Sequence, residues 1–297
     1  MEISIFHVFR QGPMLATLAR VASASILRNF LPTKSSTPDI PGPVYSSIVA
    51  PRSCNLIRDY IYHVGGDPGN YRGILPPHFF PQWGFPILAQ TIQSLPYNVS
   101  QILNAGAKFI VNKQLPATEP LKLSARLIDL DDNGQRVVFH QQLITETDSA
   151  PEALISEVKA ILPLKTNKQA SGPKKEKPRI HENAHEIGQI FLKANDGLNF
   201  AKLTGDFNPV HWVKLYAQLS GFPGTFLHGF SSMARVAEVL IKNRLSGRVD
   251  RLQSLDVRFV RPLFLPNVIS VFMYLDEVWL GHAPGGAAYL SGRISLN

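Results

Sequence analysis

The feature that most constrains how this chain can fold is a weak internal repeat. Gly66-Asp67 recurs as Gly205-Asp206 after 139 positions, Phe80-Pro81 as Phe222-Pro223 after 142, and Pro116 as Pro262 after 146. Each half then runs in the same order: a glycine-aspartate turn, an aromatic and proline-rich loop, a nearly uncharged helix, and extended segments. The helices are expected over Ile87 to Leu103 and Phe230 to Leu245. In the second, Phe230, Met233, Ala234, Ala237, Leu240, Ile241 and Leu245 recur at three and four, so a wide stripe must be buried. Runs rich in β-formers supply the cover: Lys122 to Leu130, Arg136 to Thr145, Ser156 to Leu162, Ser254 to Val260, Val268 to Leu275 and Ala287 to Ile294. Asp131-Asp132-Asn133-Gly134 reads as a hairpin turn between two of them. A long buried helix on an antiparallel sheet, twice over, is an α+β architecture.

The halves are separated by Lys165 to Arg179, which holds six bases and one acid, +5 of the chain's formal charge of +8. The rest of the chain is nearly balanced, so the basic character belongs to this run. It has no aromatic residue for stacking and contains Gly172, Pro173 and Pro178, which describes a solvated linker; no nucleic-acid partner is expected. The organisation expected is an N-terminal extension with a docking helix over 1–45, a first repeat over 46–164, the linker at 165–179 and a second repeat over 180–297. The lone Cys54 forbids an intrachain disulfide and a cysteine-rich metal cage.

Residues 73–107 lack Asp, Glu, Lys and Arg for 35 positions, long enough to cross a bilayer. Five prolines and several Gln and Asn residues argue instead for a helix wrapped by protein. No integral membrane segment is expected. Residues 11–31 are apolar but interrupted by Arg20 and Arg28, which favours a docking helix in a cytoplasmic protein; an organelle transit peptide, and so a matrix location, is the alternative.

Chemistry concentrates in Leu203 to Leu227 (LTGDFNPVHWVKLYAQLSGFPGTFL) and the following His228-Gly229-Phe230. Asp206 and His211 lie five positions apart across an Asn-Pro turn, a spacing that lets both address one water from one wall of a pocket. Asn208 can brace the turn and Pro209 restricts its backbone. Gly229, at a helix N-terminus, can bring its amide close to a developing oxyanion with the helix dipole behind it. Alone, an Asp and a His at this spacing are more often a turn cap and a satisfied polar residue. Here Asn-Pro, Gly221-Phe222 and His228-Gly229 follow in a set order. That order resembles the MaoC-like family of R-specific enoyl thioester hydratases and dehydratases, and Val257 to Pro262 (VRFVRP) resembles a strand of the same family.

The resemblance implies a double hotdog fold and reversible hydration between trans-2-enoyl and (R)-3-hydroxyacyl thioesters of coenzyme A or acyl carrier protein. Asp206 and His211 would be the catalytic pair, Asn208 and Gly229 their support, with neither cofactor nor metal. A monomeric pseudo-dimer or a homodimer would fit. The first half is expected to lack the pair, with Arg72 at the place of His211 and Pro86-Ile87 opposite His228-Gly229, and the resemblance implies that it broadens an acyl tunnel. His228 is given no chemical role. A non-catalytic acyl-binding subunit and a thioesterase are the alternatives; Glu238 is the one acid on the second long helix. Lys202, Lys214, Arg235 and Arg258 are read as surface cations that could meet a phosphate-bearing carrier.

His181-Glu182-Asn183-Ala184-His185 matches H-E-x-x-H, yet only Ala184 is apolar within it and the expected third ligand falls on Phe191. A zinc helix needs apolar flanks, so proteolysis is set aside.

Overall fold

The computed structural model describes residues 3–9, 39–98, 102–164 and 176–297, with residues 12 and 16. The docking-helix reading of 11–31 and most of the linker, 165–175, lie outside the described residues. The described linker residues 176–179 are exposed.

In the first half, β1 (Tyr45–Val49), α2 (Cys54–His63), α3 (Pro81–Gln93), β2 (Leu103–Val111), β3 (Leu121–Asp132), β4 (Arg136–Glu146) and β5 (Leu154–Pro163) follow one short helix, α1 (Phe6–Phe9). The second half repeats the order with β6 (His185–Leu192), α4 (Asp196–Thr204), a short α5 (Lys214–Leu219), α6 (Gly229–Asn243), β7 (Leu252–Phe259), β8 (Asn267–Tyr274), β9 (Glu277–Gly281) and β10 (Leu290–Leu296). These strands form one sheet in the order β1-β3-β4-β5-β2-β7-β10-β9-β8-β6. Read outward from the centre, each half is the same five-strand pattern. The halves join where β2 and β7 pair antiparallel, from Gly106 opposite Arg258 to Ile110 opposite Ser254.

Alternation explains the strands. In β4 the buried positions are Val137, Phe139, Gln141, Leu143 and Thr145, every second residue. At the turn between β3 and β4, Asn133 Oδ1 accepts from the amides of Gln135 and Arg136, and Asp132 Oδ1 from that of Gly134. The N-terminal ends of α3 and α6 meet directly, with Phe80 and Phe85 edge-on to Phe230 at 5.7 and 5.0 Å between ring centroids. One apolar core runs through both halves, and a smaller cluster around Ile92, Val137 and Phe139 lies at the far side of the first.

The first long helix spans Pro81–Gln93 rather than 87–103. Proline is well suited to the first turn of a helix, where its missing N–H is not needed, so Pro81 opens α3 and Pro86 is carried inside it. The uncharged stretch conceals a second element, because β2 begins at Leu103. The register of the repeat shifts accordingly. The first helical residue is Pro81 in one half and Gly229 in the other, so Phe80-Pro81 stands where His228-Gly229 stands.

The H-E-x-x-H run is a turn entering β6, not a helix, so its histidines do not share a helical face. His181 instead stacks on Tyr274 at 4.2 Å. Among the described residues no group of His, Cys, Asp or Glu could hold a metal ion, and no helix is long and apolar enough to cross a membrane.

Candidate active site

The helix α4 ends at Gly205, whose φ of 84° is the left-handed conformation that turns the chain and for which glycine has no steric penalty. Asp206 follows immediately. Its Oδ1 accepts from the Asn208 amide at 3.4 Å, and Asn208 Oδ1 accepts from the Val210 amide at 3.4 Å, capping a 3-10 turn over Pro209–His211. Asp206 and His211 are thus held by one turn and are close enough for each to respond to the other's charge.

The imidazole of His211 is oriented by its backbone partner. Nδ1 lies 2.8 Å from the carbonyl of Phe226, which can only accept, so Nδ1 carries the proton and, in the neutral ring, Nε2 presents its lone pair. Burial lowers the His211 pKa from 6.5, against the pull of Asp206, and burial raises that of Asp206 from 3.8, against the pull of His211. Two groups displaced toward one another in this way are suited to exchanging a proton.

His228, given no role from the sequence, holds both. Its ring stacks on that of His211 at 3.7 Å, and its Nε2 donates to the carbonyl of Asp206 at 3.0 Å. Burial drives its pKa well below 6.5, so it stays neutral, with Nδ1 buried and unpartnered among the described residues. Only the adjacency of His228 to Gly229 signalled it, because neither the stack nor the carbonyl contact is local in sequence. Gly197 was likewise missed: a Cβ there would lie 1.9 Å from the backbone oxygen of His211, so α4 and the turn touch through hydrogen alone.

Gly229 opens α6 against the ring of Phe259, where a Cβ would come within 2.5 Å. Its amide has no acceptor among the described residues, as expected of the first helical N–H. The four residues singled out from the sequence, Asp206, Asn208, His211 and Gly229, line one cavity of about 630 Å³. The first half lines it too, through Phe85, Leu88 and Ile92 of α3, Gln141 of β4 and Val158 of β5.

Among its described residues the first half has no comparable pair. Asp67 caps the 3-10 turn Pro68–Tyr71 by accepting from the Gly69 amide, which is the place of Asn208 rather than of Asp206. Tyr71, not Arg72, ends that turn as His211 ends its own; Arg72 is exposed and neither it nor Asp67 lines the cavity. Pro81-Gln82, not Pro86-Ile87, begins the helix equivalent to that of Gly229-Phe230, so the residue opposite Gly229 is a proline with no amide N–H to offer.

Arg235 is not a surface cation. It is buried and pairs with Asp196 at 3.1 Å, tying α6 to the start of α4. Glu238 is also engaged, accepting from the Tyr71 hydroxyl at 2.9 Å and lying 3.0 Å from His78 Nε2. Burial keeps the Tyr71 hydroxyl protonated by driving its pKa well above 10. Glu238 does not line the cavity, so among the described residues α6 brings it no carboxylate.

Residues 172–280 match the MaoC like domain family. Among curated proteins, the chain is 24% identical over 200 residues to 3-hydroxyacyl-thioester dehydratase Y of Mycobacterium tuberculosis, covering 65% of this chain and 66% of that protein. The aligned part is thus just under two thirds of that relative's length. Among solved structures, HtdX of Mycobacterium tuberculosis superposes with a TM-score of 0.68 at 15% identity, over 85% of this chain and 99% of that one. A second protein of that organism, described as having a double hotdog fold, superposes with a TM-score of 0.57 at 10% identity, over 87% of this chain and 96% of that one.

Proposed function

We propose that this chain, which carries a MaoC-like domain within a double hotdog fold, is a hydro-lyase that interconverts trans-2-enoyl and (R)-3-hydroxyacyl thioesters in fatty-acid metabolism. The observation that carries the reading is the convergence of Asp206, His211 and the unpaired Gly229 amide on one largely apolar cavity. Hydration needs a base for water, an acid for the α-carbon and a donor for the charge that develops on the thioester oxygen.

The thioester oxygen accepts from the Gly229 N–H, at the positive end of α6. A water held between Asp206 and His211 Nε2 gives a proton to the pair as its oxygen bonds to C3, and a proton from the pair bonds to C2. Water is consumed and the pair returns to its starting protonation. Because both groups come from one turn, hydroxyl and proton reach the same face of the double bond. Asn208 and His228 hold the pair, and no metal or cofactor takes part. The second half is the catalytic repeat, and the first supplies wall to the acyl cavity, so that one chain acts as a pseudo-dimer. The carrier is coenzyme A or acyl carrier protein, in the cytoplasm or an organelle matrix.

The test is ultraviolet loss of the conjugated double bond of crotonyl and longer enoyl thioesters, on both carriers, with chiral analysis of the product. An R-configured 3-hydroxyacyl thioester is expected. An S product, or no turnover by the folded protein on either carrier, overturns the reading in favour of an acyl-binding subunit.

A further inference from the structure

Gln141 is the buried amide in the largely apolar wall that the first half gives to the cavity; Asn104, the other polar residue of that half lining it, is exposed. On β4 it lies between the inward-facing Phe139 and Leu143, and its cross-strand neighbours are Leu127 of β3 and Val158 of β5. Leu88, Ile92 and Val158 line the cavity around it. Sheet periodicity asks for an apolar residue at this position, and burying a polar side chain there is costly unless it is hydrogen-bonded.

Half of its hydrogen-bonding capacity is used. Nε2 donates to the Leu88 carbonyl at 2.7 Å and to Thr91 Oγ1 at 2.6 Å, both on α3, and Thr91 Oγ1 itself donates to the Leu88 carbonyl at 2.8 Å. The Leu88 carbonyl can only accept, which settles which end of the amide faces it. Both amide hydrogens are therefore committed to α3. Oε1 has no hydrogen-bond partner among the described residues, and Gln141 lines the cavity. What Gln141 offers a ligand is thus an acceptor and no donor.

We infer that Gln141 Oε1 is a recognition point for a hydroxyl on the acyl chain, so that the preferred substrates are acyl thioesters hydroxylated at a distance from the thioester that reaches this wall. A saturated tail passing Gln141 strips water from Oε1 and returns nothing, whereas a hydroxyl donates to it. A carbonyl or carboxylate on the tail has no donor to meet and would be repelled. The asymmetry between pairing and stranding a buried polar group is the strongest source of discrimination that a site of this kind has.

The inference rests on reading the cavity as an acyl site, so binding and turnover are measured separately. Calorimetry with non-reacting saturated acyl-CoA thioesters of eight to sixteen carbons, each paired with its ω-hydroxylated counterpart, locates the length at which the tail meets Gln141. At that length the parent is expected to bind the hydroxylated thioester at least tenfold more tightly. Gln141→Leu and the near-isosteric Gln141→Met, each checked for folding by circular dichroism, should bring the ratio to about one or below. Thr91→Val keeps the glutamine and its bond to the Leu88 carbonyl but releases one amide hydrogen, and should lower the ratio in part. A ratio that is the same within twofold in the parent and both Gln141 variants at every length overturns the inference, including the case in which a retained water satisfies Oε1. Absence of crotonyl thioester hydration by the parent would overturn the hydratase reading alone, since the binding ratios are read without turnover.

Discussion

At the residue scale, the site rests on partners that decide which lone pair and which proton each group can use. Nδ1 of His211 is committed to the Phe226 carbonyl, which leaves Nε2 for chemistry. Asp206→Asn keeps the shape and removes the base, and His211→Ala removes its partner, so each should lower kcat by roughly a hundredfold or more. The double variant should be little worse than the poorer single one, because both residues act on one water. Asp67→Asn, away from the cavity, should stay within a few-fold of the parent. The rate of hydration should also fall in acid, as the pair takes up protons, Asp206 at a pH above its ordinary 3.8 and His211 at a pH below its ordinary 6.5. His228→Phe preserves an aromatic stack but loses the donor to the Asp206 carbonyl. It should reduce kcat by about tenfold with little change in KM and move the acid limb of the pH profile, which a packing defect alone would not do.

At the element scale, the start of α6 is set by contact rather than by a cap. His228, the residue before Gly229, makes no side-chain capping bond, and the helix is seated by Gly229 against Phe259 and by a buried face that includes Phe230, Met233, Val236 and Leu240. Gly229→Ala puts a methyl group into the Phe259 ring. It should cost about 1–3 kcal/mol by overpacking and displace the amide offered to the thioester oxygen, lowering kcat more than KM. Thermal melting and steady-state kinetics check the two effects. Adding Phe259→Leu should recover most of the stability, since the smaller side chain makes room for the methyl.

At the scale of the whole molecule, the halves are joined by the β2–β7 pairing, by the shared apolar core and by the buried polar cluster in which Glu238 of the second half meets Tyr71 and His78 of the first. The basic run at 165–179 is proposed as the boundary between repeats, and limited trypsin digestion should cut there first. The fragments should stay together on a sizing column, because cleavage leaves the continuous sheet intact. Acid stability is also a whole-molecule property. Burial lowers the pKa of His63 to about 3 and lowers those of His211 and His228 from 6.5. Below pH 6.5 the unfolded chain therefore binds more protons at these sites than the folded one, and stability falls as pH falls, by up to about 1.4 kcal/mol per pH unit for each group. Asp206, shifted upward by burial, opposes this between its ordinary 3.8 and its raised pKa in the folded protein. The melting temperature should drop between pH 7 and 5, and His63→Phe should make that drop shallower.

How far a residue's surroundings are local decides what could be read before folding. The α+β class, the two repeats, the hairpin at Asp131 to Gly134 and the buried stripe of α6 all follow from spacing along the chain, because periodicity and turn chemistry act between near neighbours. Asp206, Asn208, His211 and Gly229 were legible for the same reason, each lying within one short motif. The short strands β1 and β9 carry too few residues for a pattern, and the uncharged stretch joined α3 to β2 without a visible break. The tertiary structure alone decided the rest. Lys202, Arg235 and Glu238 look alike on paper as isolated charges, yet two of them are buried because Asp196, Tyr71 and His78 arrive from elsewhere in the chain. Gln141 reads as one more polar residue in a strand, and only its burial against α3, with both amide hydrogens taken, turns it into a buried acceptor in a largely apolar wall. A side chain's chemistry is set by what surrounds it, and for these residues the neighbours are 39 to 167 positions away.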